Sequence, residues 1–169
     1  AQMVEEAHEK GQVDTLIARA ADFLGPYPNS VPYATIIERL KAGKAAQWFG
    51  SKDKVHNFTY TPDAAMATAV LGNTPDAYGQ VWHVPTDSTR LTADDWVQKF
   101  AAAFDTKAKT QVMSIGMMSF LGLFVPVLKE VKEMAYQYDR DYLFDSSKFE
   151  ERFGMSATPL DEQISTLAQ

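Results

Sequence analysis

Short apolar or β-branched segments alternate with stretches of helical spacing along the whole chain, and few folds satisfy that alternation. Residues 15–20, 46–49, 55–61, 80–84, 111–115 and 142–144 read as strands, the first of them buried. Between them, Tyr33, Ile36, Ile37 and Leu40 repeat at helical spacing over 32–42, and Pro62-Asp63 opens an alanine-rich helix that ends near Gly72. Thr92 stands as N-cap to a helix over 93–104, with Asp94 and Asp95 in its first turn. At the start, Met3, Val4 and Ala7 share one face of a helix closed by Gly11. Residues 117–138 read as one kinked or two successive helices, Ser146 or Ser147 caps a helix reaching Gly154, and Pro159 begins a helix through Leu167. The pattern predicts an α/β fold, with residues 1–169 as a single unit.

Composition narrows the partners. A chain of 169 residues with 46% hydrophobic and 22% charged content can bury a real core. Its net charge of −6, with no basic stripe, argues against nucleic acid and anionic membranes. The absence of cysteine excludes disulfides, thiolate catalysis and Cys-ligated metal, and fits a cytoplasmic protein. Residues 112–128 carry no charge, but the run falls short of the roughly 20 residues of a membrane span and is broken by Gly116, Gly122 and Pro126. A strand leading into a kinked helix, or a subunit contact, is the expected reading.

Catalytic motifs are missing. No glycine triplet of pyrophosphate-binding spacing follows a strand, and no G-x-S-x-G elbow occurs. Tyr136 with Arg140 is the nearest approach to a Tyr-x-x-x-Lys pair, and His8, His56 and His83 lack zinc-ligand spacing. Asp63 reads as a helix-start residue, and the three tryptophans as core or pocket wall. Met113, Met117 and Met118 fit helical core packing or an adaptable apolar pocket.

The run Leu16-Ile17-Ala18-Arg19-Ala20-Ala21-Asp22-Phe23-Leu24-Gly25-Pro26 passes from an apolar segment through an Arg, a small-residue step, an Asp and an aromatic to Gly-Pro. It resembles the segment that follows the active-site helix in NAD(P)-dependent epimerase/dehydratase-like proteins of the extended or atypical short-chain dehydrogenase/reductase family. Further family-like segments follow in order: His56-Asn57-Phe58-Thr59-Tyr60-Thr61-Pro62-Asp63-Ala64-Ala65, then Gly79-Gln80-Val81-Trp82-His83-Val84-Pro85 with Leu91-Thr92-Ala93-Asp94-Asp95-Trp96. Asp145-Ser146-Ser147-Lys148-Phe149 through Phe153-Gly154 completes the series.

The resemblance implies the C-terminal portion of a Rossmann-type short-chain dehydrogenase fold, with the last sheet strands and the substrate-binding lobe. The family's first matching segment lies past the middle of its chain, yet here it starts at position 16, and Ala1 enters a helix without a clear N-cap. A front half carrying the glycine-rich turn and a Tyr/Lys pair is therefore expected to be absent, leaving a fragment without activity of its own. NAD or NADP would be the cofactor of the full-length protein and a small hydroxy/keto or sugar-like molecule its substrate. Association with the missing N-terminal half, or self-association, is expected of an open sheet edge.

By position, the resemblance places Ala20 and Ala21 beside the nicotinamide through their backbone. Asp22 stands where relatives often keep a substrate-binding Asn, although turn chemistry explains an Asp there equally. Phe23, Asn29 and Tyr33 belong to the loop and helix that select substrate. His56 stands where sugar-nucleotide relatives commonly have a diphosphate-binding Arg, and its imidazole lacks that fork. Its alternative is a half-exposed strand residue. Arg140 is near another position that can supply a phosphate-binding Arg, or else pairs on the surface with Asp139 or Asp141. Arg19 is expected to bond loop carbonyls or an acid. Two other readings stay open: a non-catalytic cofactor-sensing or ligand-binding regulatory protein of the same superfamily, and an independent small-molecule-binding α/β domain.

Overall fold

The computed structural model describes residues 2–26, 30–114, 116–117 and 134–168. Three parallel ladders of two strands each organise them. Strand β1 (Ile17–Arg19) pairs with β5 (Val81–His83), with Ile17 opposite Val81. β2 (Asp22–Leu24) pairs with β4 (Phe58–Tyr60), with Asp22 opposite Phe58, and β3 (Ala46–Phe49) pairs with β6 (Thr110–Met113). A parallel pair cannot be closed by a tight turn, so helices carry the chain back between partners. Those between partners are α2 (Glu38–Lys41, entered through a π-helical turn Tyr33–Ile37), α3 (Thr61–Gly72) and α4 (Ala93–Ala103), while α1 (Gln2–Glu9) precedes the first strand and α5 (Ser147–Phe153) and α6 (Leu160–Ala168) follow the last.

Local chemistry sets the helix ends. Gly11 has φ +65°, and the Gln12 N–H reaches back to the Ala7 carbonyl at 3.0 Å, closing α1 as a left-handed cap. At the start of α4 the Thr92 hydroxyl accepts from the Asp95 N–H at 3.3 Å, while the Asp95 carboxylate accepts from the Thr92 N–H at 2.9 Å. That box launches a helix whose core face is an aromatic ladder: Trp96 stacks on Phe100 at 5.7 Å, and Phe100 on Phe104 at 5.9 Å.

Two apolar clusters result. The larger packs Leu24, Ile36, Ile37, Leu40, Trp48 and Phe58 against α4 and α6, and the smaller packs Ala67, Leu71, Trp82, Val84 and Phe149. A buried polar chain lies close to both. The Ala21 N–H donates to Thr59 Oγ1 at 2.8 Å, Thr59 and Thr86 share a hydroxyl bond of 2.7 Å, and the Thr86 N–H donates to Ser146 Oγ at 3.2 Å.

The structure corrects several expectations. Segment 15–20 forms a strand at 17–19 only, and Ala18 and Arg19 are exposed. One side of β1 has no partner strand among the described residues. Residues 22–24, expected in a loop, form β2 because Phe58–Tyr60 offers them a ladder. Residues 142–144 are irregular, held by a bridge between Tyr142 and His56 and by the Phe144 N–H on the Asn57 side chain. Ser146 does not cap α5 with its side chain; the Asp145 carboxylate accepts the Ser147 N–H instead, at 2.9 Å. Asp63 lies in the first turn of α3 and also accepts from the Thr158 N–H and hydroxyl, at 2.8 and 2.6 Å. The predicted helices over 117–138 fall mostly outside the described residues, which show a 3₁₀ turn at Ala135–Gln137. No described helix is long and apolar enough to cross a membrane.

Gly25 closes β2 against the first residue of α3, and a methyl group there would collide with the Thr61 side chain. Gly25→Ala is expected to destabilise the fold by about 1–3 kcal/mol, the usual range for overpacking. Urea titration of Gly25→Ala, Thr61→Ala and the double variant checks this, since adding Thr61→Ala should recover part of the loss. Independently, Thr92→Ala should lower stability by about 1 kcal/mol through loss of the cap.

Candidate functional site

Asp22 begins β2, and its side chain meets two donors brought from distant parts of the chain. Tyr138 donates its hydroxyl to Asp22 Oδ2 at 2.7 Å, and His56 Nε2 lies 3.1 Å from the same oxygen. An ionised carboxylate has no hydrogen to give, so Nε2 carries the proton of this pair. His56 sits just ahead of β4, and both of its backbone groups are fixed. Its N–H donates to the Leu91 carbonyl at 3.0 Å, and its carbonyl accepts from Trp96 Nε1 at 2.8 Å.

The imidazole is enclosed by rings. Tyr138 stacks on it at 4.7 Å and 6°, Tyr142 stacks at 4.8 Å and 26°, and Trp48 meets it edge-on at 5.9 Å. His56 is therefore buried, not the half-exposed strand residue considered above.

Burial works to raise the Asp22 pKa, but hydrogen bonds from His56 and Tyr138 and the field of the imidazole outweigh it and hold the carboxyl below its ordinary value. Burial first, and then the Asp22 charge, push the Tyr138 phenol far up. Tyr138 thus stays a protonated donor at any physiological pH.

Asp22 and Tyr138 line a cavity of about 230 Å³, together with Phe23, Ser30, Val31, Pro32, Phe49 and Met134. A second cleft, of about 410 Å³, runs past Asn57, Thr86, Arg90 and Ser146. Asn57 is structurally engaged there: its amide donates to the carbonyls of Asp87 and Thr89 and accepts the Phe144 N–H. Among the described residues no cluster of His, Asp or Glu could hold a metal ion.

The residues expected to form a site distribute unevenly. Asp22 and Phe23 lie together at the cavity, with His56 directly behind Asp22. Ala20 and Ala21 precede them, Ala20 half-buried against the smaller cluster and Ala21 buried with its N–H engaged by Thr59. Tyr33 is half-buried against the larger cluster, its N–H donating to Ser30 Oγ at 3.2 Å. Asn29 lies outside the described residues. Arg140 does not line the cavity; it is exposed and forks onto Asp139 at 2.7 Å. Arg19 is exposed and makes no side-chain hydrogen bond or ion pair among the described residues.

Tyr138 is the participant that sequence reasoning missed. The density of tyrosine at 136, 138 and 142 is its one local signal. Met134 carried none, whereas Phe49 adjoins a tryptophan read as core or pocket wall and Ser30 lies in the loop expected to select substrate.

No family model and no curated protein matches the chain. Solved structures do. A dTDP-glucose 4,6-dehydratase from Bacillus anthracis in complex with NAD superposes with a TM-score of 0.74 at 14% identity, over 99% of this chain and 48% of that one. A UDP-glucuronic acid 4-epimerase from Bacillus cereus, with UDP-glucuronic acid and NAD, gives 0.69 at 13% identity over 99% and 48%. RMD from Pseudomonas aeruginosa, complexed with NADPH, gives 0.69 at 11% identity over 99% and 51%. The chain spans about half the length of these structures and has the α/β fold of the C-terminal half of such proteins.

Because the Asp22 pKa is lowered in the folded state, its contribution to stability is present above the unfolded value near about pH 4 and is lost as pH falls through the folded value. Tyr138→Phe, which deletes one donor to the carboxylate, should start the acid-side loss of stability at a higher pH. Urea midpoints between about pH 2 and 6 check this around the carboxylate range. An acid limb superposable on the parent's would show that the Tyr138 bond does not hold Asp22 ionised.

Proposed function

We propose that this chain is the substrate-binding half of an NAD(P)-dependent epimerase, dehydratase or reductase acting on a small hydroxy/keto or sugar-like molecule. The observation that carries the reading is the superposition of 99% of the chain on about half of a dehydratase solved with NAD. The cavity at Asp22 supports it independently, since it opens beside the first residue of β2, directly after the small-residue step at Ala20 and Ala21.

The residues present fit part of a dinucleotide site. Two methyl side chains at Ala20 and Ala21 let the backbone pass close to a flat ring, while no glycine-rich turn for a pyrophosphate occurs in this chain. That turn, and the acid–base pair for a carbinol oxygen, belong to an upstream half. The nicotinamide, when bound, would supply a hydride acceptor or donor for a carbinol or carbonyl carbon.

This chain's own part is positioning. Asp22 accepts a hydrogen bond from the substrate, His56 and Tyr138 fix the carboxylate, and Phe23, Val31 and Met134 offer an apolar flank. The side of β1 without a partner supports docking of a strand from the upstream half. The second copy of the chain is the other occupant that this edge admits.

Titration with NADH and NADPH, followed by nicotinamide fluorescence, tests the reading. The longest natural reading frame containing these residues should bind one of them, and the 169-residue chain alone should bind neither. A full frame that binds neither cofactor would overturn it. Within a binding-competent frame, Asp22→Ala should leave cofactor affinity within about twofold, because Asp22 is assigned to substrate, and a tenfold loss (about 1.4 kcal/mol) would move it to the cofactor.

A further inference from the structure

We infer that the cavity over Asp22 takes a compact, phosphate-free ligand with an apolar flank, one that donates a hydroxyl or ammonium hydrogen to Asp22 Oδ1. The inference rests on the assignment of this cavity to substrate and goes on to name the chemistry it selects.

Both donors to Asp22 converge on one oxygen. His56 Nε2 and Tyr138 Oη reach Oδ2, at 3.1 and 2.7 Å, and Oδ1 has no partner among the described residues. The side chain keeps 18% exposure, and Asp22 lines the cavity, so an acceptor remains open to a ligand. A carboxylate accepts at both oxygens, and a bond to an ionised acceptor is among the stronger kinds.

The rest of the lining decides which donors fit. Among the described residues around the cavity, Asp22 is the sole charged group, and no lysine or arginine accompanies it. The Tyr138 hydroxyl is already engaged, leaving Ser30 as the other polar side chain. A phosphate placed here would face an ionised carboxylate with no cation among the described lining residues to offset the repulsion. Burial raises the Asp22 pKa, but the two hydrogen bonds more than reverse that, so the carboxylate does not escape the repulsion by taking up a proton at neutral pH.

Phe23, Val31 and Met134 are large apolar residues left exposed at the same cavity, which suits an apolar flank on the ligand. Its volume of about 230 Å³ lies below the roughly 300–1,000 Å³ of sites for drug-sized ligands, so the ligand is compact. Two of the solved neighbours carry sugar-nucleotide substrates in their names, dTDP-glucose and UDP-glucuronic acid. The lining of this cavity departs from what a diphosphate requires.

Benzylamine, benzyl alcohol and benzyl phosphate share one apolar body and differ in the group offered to Asp22. Their affinities for the longest natural frame, read by saturation-transfer NMR without cofactor, test the inference. Amine and alcohol should both bind, and the amine should exceed the phosphate by at least about tenfold, given the opposite signs of their interaction with a carboxylate. Asp22→Asn should shrink that gap to about threefold or less, while Phe23→Ala should weaken amine and alcohol alike and keep their order. A phosphate that binds as well as the amine overturns the inference, as does an order that survives Asp22→Asn, or no binding by any probe. If Asp22→Asn does not fold, the order in the parent protein decides alone. Because no cofactor or turnover enters, a failure here is distinct from a failure of the NAD(P) reading.

Discussion

A carboxylate drawn most of the way out of water must find partners, and the partners of Asp22 hold distant parts of the chain in register. Desolvating a charge is costly unless hydrogen bonds compensate, and here they come from a phenol and an imidazole on two separate segments. Tyr138 arrives from the approach to the last two helices, and His56 from the lead-in to β4. The imidazole then becomes the filling between Tyr138 and Tyr142, so satisfying one charge also builds an aromatic cluster. β2 has only three residues, and its ladder with β4 would be a weak anchor alone. The Asp22 bonds add a second attachment at the strand's first residue.

The same arrangement separates two tasks that a lone Asp could not perform together. One oxygen is committed to structure, and the other has no partner among the described residues. A group used in this way is positioned before any ligand arrives, because its orientation follows from fixed backbone and stacked rings. Phe23, the next residue on the strand, shows the cost of that placement: a large apolar side chain stays exposed where the core cannot reach it.

Local chemistry was legible and tertiary partnership was not. Gly11, Thr92 with Asp95, and Pro62-Asp63 act within a turn of themselves, so their roles can be read from neighbouring letters alone. Ala46–Phe49 is bounded on its far side by the polar turn Gly50-Ser51-Lys52-Asp53. β2 was hidden because Asp22-Phe23-Leu24 sits between two alanines and Gly-Pro, which look like loop, and its strand character depends on Phe58–Tyr60. The burial of His56 was hidden for a similar reason. A histidine shows its environment only once two tyrosines beyond position 130 close over it. Of the candidate site, Asp22 and Phe23 were found through their segment, His56 through its departure from an expected arginine, and Tyr138 not at all.

The three ladders have a consequence for the order of events during folding. None joins neighbours in sequence: Ile17 waits for Val81, Ala46 for Thr110, and even Asp22 must wait for Phe58. Each pairing closes a long loop before any sheet contact rewards it, which places such chains among the slow folders. As the polypeptide emerges from the ribosome, the first strand of every pair is made well before its mate. Those early strands must be sheltered, or simply left unformed, until their mates are made, Ala46–Phe49 until Thr110–Met113 has emerged.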